Sequence, residues 1–240
     1  MILEIAVFNI ESALLAAAAG ADRLELCENP AEGGTTPSYG TLKIVRDKIS
    51  IPVFPIIRPG GGDFFYTDEE FEVMKKDVLL CKELQFEGVV IGSLTADGNI
   101  QKEHTKYLVE SAYPMEVSFH RAFDRAANPL QALEDIIECG CTRILTSGQV
   151  PDAFNGKNLI KTLIEKAGDR IIIMPGSGVR SSNIIELAKF TGAIELHSSA
   201  RKELPSTMHY QQKTMQEELK TVTVDVEEIR KMKTALNNLC

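Results

Sequence analysis

The segment VSFHRAFD, Val117–Asp124, alternates like a β-strand and then delivers an imidazole, a guanidinium and, three residues later, a carboxylate: His120, Arg121 and Asp124. Imidazoles and carboxylates exchange protons near neutral pH, and a guanidinium pairs with carboxylate or phosphate oxygens. Alternation puts His120 on the inward face with Ser118 and turns Arg121 away or over the rim, so the three do not form a ready-made triad. Arg121 and Asp124 are expected to hold the loop that places His120.

The same alternation sorts other polar residues. In LEIAVF, Glu4 and Ala6 oppose Leu3, Ile5 and Val7; in RLELC, Glu25 and Cys27 oppose Leu24 and Leu26; in AIELHSS, Glu195 and His197 oppose Ile194 and Leu196. The apolar sets belong against helices and the polar sets inside. Three carboxylates sharing an interior raise one another's pKa unless cations or donors compensate, and Arg58, His120, Arg121 and His197 are the candidates. One reading is a buried ion-pair network that only fixes packing. The other is a site in which Glu25, His120, Asp124 and His197 move protons.

The elements that would position these groups recur with a regular rhythm. Eight β-rich runs, LEIAVF, RLELC, VFPIIR, GVVIG, MEVSF, RILTS, RIIIMP and AIELHSS, are separated by helical stretches at 10–19, 37–48, 68–85, 101–111, 130–138, 157–167 and 182–190. Strict alternation implies a parallel sheet, and eight strands without a break in composition predict one α/β (β/α)₈ TIM barrel rather than a doubly wound sheet. Asn9, Thr36 and Asn128 read as helix N-caps, and Thr67 with Glu70 as a capping box. The chain is read as a single domain over 1–240: a barrel core to about residue 200, then a loop and a C-terminal helix beginning at Val226.

In such a barrel the loops after the strands build the active site. Those loops carry Cys27, Arg58, His120, Ser147, Gly148, Gly176 to Gly178 and His197 to Ser199. Arg58, Ser147, Gly148, Gly176, Ser177, Gly178, Ser198 and Ser199 are therefore the expected ligand-binding set, with GSG after strand seven and HSS after strand eight offering an anion site.

Metal chemistry has less support in the pattern. Cys27 is the one thiol at the predicted mouth, because Cys139 and Cys141 precede strand six, at the opposite end. His120 and His197 could join a carboxylate on a metal, but no HExxH or paired CxxC spacing is present.

Composition narrows the class. A net charge of −8 and a pI near 5.2 argue against binding a nucleic-acid backbone. Met1 leads straight into ILEIAVF without a basic leader, and no apolar run reaches membrane-spanning length, so a soluble cytoplasmic chain without a membrane partner is expected. Five cysteines without regular spacing fit reduced thiols. Homo-oligomer formation stays open.

The motifs AGADRLELC, EGGTTPS, IIRPGGGDF, SFHRAFD, RILTSG, GSGVR and ELHSSA, in this order, resemble the CutC copper homeostasis family across most of residues 1–200. The resemblance implies a cytoplasmic (β/α)₈ barrel associated with copper handling, copper as a bound ion, and Cys27 with His120 as the residues that touch it. Gly60 stands where the family often has a basic residue, which removes a cation from the mouth. The residues themselves favour another reading: an enzyme of isomerase, lyase or hydrolase type acting on a small anionic or polyhydroxylated metabolite.

Overall fold

The computed structural model describes residues 1–212, 214–216 and 219–239. Its strands and helices alternate through β1 (Ile2–Val7), α1 (Ile10–Ala18), β2 (Arg23–Leu26), α2 (Tyr39–Lys48), β3 (Val53–Pro55), α3 (Asp68–Glu83), β4 (Gly88–Ile91) and α4 (Lys102–Ala112). They continue through β5 (Glu116–Phe119), α5 (Pro129–Glu138), β6 (Arg143–Thr146), α6 (Lys157–Ala167), β7 (Ile172–Pro175), α7 (Ile184–Thr191) and β8 (Glu195–Ser198). A hairpin of β9 (Arg201–Pro205) and β10 (Lys220–Val224) and the helix α8 (Val226–Asn237) follow.

The eight barrel strands form two parallel ladders, β3-β2-β1-β8 and β4-β5-β6-β7. The Ile57 N–H, donating to Val90 O at 2.8 Å, ties the first ladder to the second. At the remaining seam β7 and β8 lie side by side without a ladder. The architecture is the expected TIM barrel.

Period-2 patterning separates two apolar regions. Leu3, Ile5, Leu24, Leu26, Val53, Val89, Ile91, Val117 and Ile144 face the helices in one continuous core. Cys27, Phe54, Ile56 and Val90 form a smaller cluster with Phe8. These residues share strand parity with the inward polar set, so they pack inside the barrel. Their ring and methyl groups wall off a low-dielectric interior.

Asn9 and Asn128 cap α1 and α5, and Thr67 with Glu70 closes the capping box of α3, as expected. The start of α2 is a correction: Ser38, not Thr36, is its N-cap, and the Thr36 hydroxyl accepts from the Arg58 N–H at 2.9 Å. The stretch after Ala200 also differs from the expected loop, because β9 and β10 pair antiparallel with Arg201 opposite Val224 and Pro205 opposite Lys220. Among the described residues, no helix is long and apolar enough to cross a membrane.

Candidate active site

Strand register builds the site in layers. Across the first ladder Glu4 lies level with Arg23 and His197, and Ala6 with Glu25; across the second, Ser118 lies level with Arg143. All but Ala6 are polar and point inward.

The lower layer is an ion-pair network. Arg23 bridges Glu4 and Glu195, and Arg143 reaches Glu195 at 3.0 Å and Glu116 at 2.9 Å. The Phe54 ring lies between the two guanidiniums, 5.1 Å from one and 5.3 Å from the other. Gly88 makes this possible, since a Cβ there would stand 2.5 Å from that ring. Burial alone would raise the Glu4 carboxyl, but the hydrogen bond from His197 and the Arg23 charge hold it down at about 2. Burial likewise works against Glu195, and Arg23 and Arg143 outweigh it, leaving that carboxyl below its ordinary range.

One layer up, the balance changes. His197 donates from Nδ1 to Glu4 Oε1 at 2.8 Å and presents Nε2 to Glu25 Oε2 at 3.6 Å. Among the described residues, Glu25 has no guanidinium partner. Burial and the nearby Glu4 charge push it up to about 7 against the pull of His197 and Arg23. For His197, burial lowers the pKa, but the bond to Glu4 and the Glu25 charge prevail and raise it. Three carboxylates and two guanidiniums thus leave Glu25 as the carboxyl held above its ordinary range, beside an imidazole that is itself raised.

Glu25 and His197 open onto a cavity of about 890 Å³ at the C-terminal mouth. Arg58, Arg121, Arg125, Arg180 and Arg201 line it with Glu25, Glu32, Asp63 and Asp124, so an acidic protein presents guanidiniums in local excess over carboxylates. The Gly178, Val179 and Ser199 amides donate to no protein acceptor among the described residues and border the same cavity. Ser177 holds a left-handed φ of 79° and Gly178 one of 70° in that loop.

Other expected site residues serve the scaffold. Arg58 donates to the carbonyls of Glu32, Gly34 and Gly62 at 2.6, 2.8 and 2.8 Å, so it ties the β2 and β3 loops together. Asp124 accepts from the Thr146 hydroxyl, the Ser147 N–H and the Gln149 N–H, and pairs with Arg121 at 2.8 Å. Every lone pair it would use as a base is occupied. The hydroxyls of Ser147, Ser177 and Ser198 donate to the carbonyls of Val150, Pro151 and Val179. Gly148 donates to the Thr146 hydroxyl at 2.9 Å, and Gly176 lets Leu145 and His197 approach, its missing Cβ falling 2.4 Å from one and 3.1 Å from the other. Ser199 borders the cavity.

His120 is buried on the cavity wall with Nδ1 accepting from the Ala122 N–H at 3.1 Å and Nε2 unpartnered. Burial and then the Arg58 charge lower its pKa to about 3. Cys27 lies beneath the mouth, where burial and the Glu25 and Glu4 charges hold its thiol well above its ordinary value. Arg23 and Arg143 were not among the expected compensating cations. Their signal was present, since Arg23 shares inward parity with Glu25 and Arg143 opens the RILTS strand.

The model for the CutC family matches residues 1–202. A CutC family protein of Chromobacterium violaceum is 50% identical over 209 residues, covering 87% of this chain and 85% of that relative. One from Salmonella heidelberg is also 50% identical, covering 87% and 84%. A solved Streptococcus agalactiae structure named as a copper homeostasis protein CutC superposes with a TM-score of 0.79 at 33% identity, covering 83% of this chain and 98% of that one. Phosphoribosyl anthranilate isomerase from Thermotoga maritima superposes at 0.61 with 14% identity, covering 99% and 100%, and shows the fold alone.

Proposed function

This chain belongs to the CutC family, and we propose that it is a single-domain cytoplasmic enzyme that moves a proton on a small anionic or polyhydroxylated metabolite held in the barrel mouth. The observation that carries this reading is the pairing of Glu25, the inward carboxylate without a guanidinium, with a His197 oriented by Glu4. A carboxyl held near the working pH gives and takes protons with little thermodynamic penalty in either direction. A purely structural network would be served by neutralising Glu25 as Arg23 neutralises Glu4. The arginines and free amides around the cavity supply the complement to an anionic group on the substrate.

Copper handling, the role implied by the family resemblance, would fall to Cys27 and His120, and the two do not fit a Cu(I) site as arranged. A metal ligand must lose its proton, and two neighbouring carboxylates resist that loss at Cys27. At His120 Nδ1 accepts from the Ala122 N–H, which leaves the hydrogen on the buried Nε2 and no free lone pair for a metal. Among the described residues, no three His, Cys, Asp or Glu side chains cluster as a metal site.

Thermal-shift screening of a metabolite library against the wild type, Arg125→Ala and Arg180→Ala tests the enzyme reading. A stabilising anionic ligand whose shift is lost in either variant is expected. Absence of any stabilising ligand, or shifts indifferent to both changes, contradicts it. Arg58→Ala is a poorer probe because Arg58 holds three loop carbonyls.

A further inference from the structure

His120 stands at the end of β5 and is only 3% exposed, yet its Nε2 has no partner among the described residues. The Ala122 N–H points at Nδ1 from 3.1 Å, so Nδ1 carries the lone pair and Nε2 carries the hydrogen. A buried donor left without an acceptor is costly, and such groups in native proteins call for a ligand or water to satisfy them. The fold also makes room for this ring. A Cβ on Gly92 would lie 2.3 Å from its Cε1, so the end of β4 is cut back to let the imidazole stand there. Phe64 and Phe119 hold it from the sides, with centroids 5.0 and 6.0 Å away, and Phe64 in turn lies under the Arg58 guanidinium.

A ring fixed in this tautomer is not a base at Nε2, which is already protonated. It is not a metal ligand there either, because moving the proton to Nδ1 would set two N–H groups against each other. Donation to an oxygen is the remaining role. A neutral donor in an apolar niche suits an oxygen that gains charge only during reaction, since a fully anionic group is better met by the guanidiniums elsewhere in the cavity.

We propose that His120 is a neutral hydrogen-bond donor to a carbonyl oxygen of the substrate, so that proton transfer in this cavity is an enolisation and the substrate is a small hydroxycarbonyl compound bearing an anionic group. The proposal rests on the acid/base reading of Glu25 and His197. Glu25 takes a proton from the carbon next to the carbonyl. The electron pair of the broken C–H bond becomes a C=C bond, and the carbonyl π electrons move onto the oxygen, which the Nε2–H stabilises. Glu25 then returns the proton to the former carbonyl carbon, using the C=C electron pair, while the neighbouring hydroxyl proton passes to the former carbonyl oxygen and that neighbour becomes the new carbonyl; this completes an isomerisation without an external oxidant or reductant. The anionic group would lie toward Arg180, Arg201 and the Gly178 and Ser199 amides.

Two measurements test this. Nitrogen-15 NMR of the histidine rings at neutral pH, with His120 assigned by its disappearance in His120→Gln, should show the Nε2–H tautomer; an Nδ1–H tautomer or an imidazolium overturns the proposal. The second follows exchange of carbon-bound hydrogen in D₂O with dihydroxyacetone phosphate, ribulose 5-phosphate and fructose 6-phosphate as probes. Wild type should exchange at least one of them, His120→Leu should be slower by about 100-fold or more, and His120→Gln, which keeps an N–H donor, should recover part of the loss. Equal loss in both variants overturns the donor role. No exchange of any probe, with anionic ligands still found by thermal shift, overturns enolisation while leaving the acid/base reading in place.

Discussion

His197 Nε2 lies 3.6 Å from Glu25 Oε2, and both side chains are buried. Glu4, on the other side of the ring, stays ionised and fixes the ring's orientation. The register of β8, β1 and β2 sets this relationship, because His197 and Glu4 are level and Glu25 stands one inward position above Arg23.

Glu25 should make the fold less stable as pH rises. Its carboxyl is raised from 4.5 to about 7 in the folded chain, so its contribution is complete below pH 4.5 and is lost as pH climbs through about 7. Glu25→Gln removes the titrating group. Urea unfolding should therefore find this variant more stable than wild type by about 1–3 kcal/mol at pH 8, with the gap closing at pH 4.5. A difference independent of pH would contradict this origin.

Arg23 should matter more for stability than any surface cation. Arg23→Met leaves Glu4 and half of the Glu195 site without a guanidinium inside the barrel. Loss of about 3–5 kcal/mol is expected by chemical denaturation, the range for breaking a buried pair. Arg170→Ala, whose pair with Glu134 is exposed, should leave the denaturation midpoint almost unchanged.

The glycines divide by what stands where a Cβ would go. Gly88→Ala places a methyl 2.5 Å from the Phe54 ring and should cost about 1–3 kcal/mol by overpacking. Gly60→Lys points into open space and should change stability by no more than about 0.5 kcal/mol. Thermal melts of the two variants check the contrast.

Copper affinity should not depend on Cys27. Titration of Cu(I) against a competing chelator should give the same weak binding for wild type and Cys27→Ser, because the thiol is buried beside two carboxylates. A strong site lost in Cys27→Ser would reinstate the metal reading for this chain.

Much of this was legible in the chain. Period-2 alternation alone places Glu4, Glu25, Glu195 and His197 inside, and turn chemistry marks the caps at Asn9, Thr67 and Asn128. Arg23 and Arg143 obey the same parity, but each is the first residue of its strand, where a charged side chain reads as a flank. The α2 cap is ambiguous in the chain because Thr36 and Ser38 both flank Pro37, and the bond from Arg58 that occupies Thr36 comes from the loop after β3. Hydroxyl direction has no sequence signature, so the bonds from Ser147, Ser177 and Ser198 to loop carbonyls are not legible in the chain. β9 is exposed throughout and lacks apolar alternation, which hid the hairpin.

A carboxyl-carbon NMR titration of glutamate-labelled protein, with Glu25 assigned by the resonance missing in Glu25→Gln, tests most directly whether the cavity holds a proton-transfer group. A Glu25 midpoint near pH 7 is predicted, well above the ordinary 4.5. A midpoint at about 4.5, in step with the surface glutamates, would contradict the acid/base reading of the site.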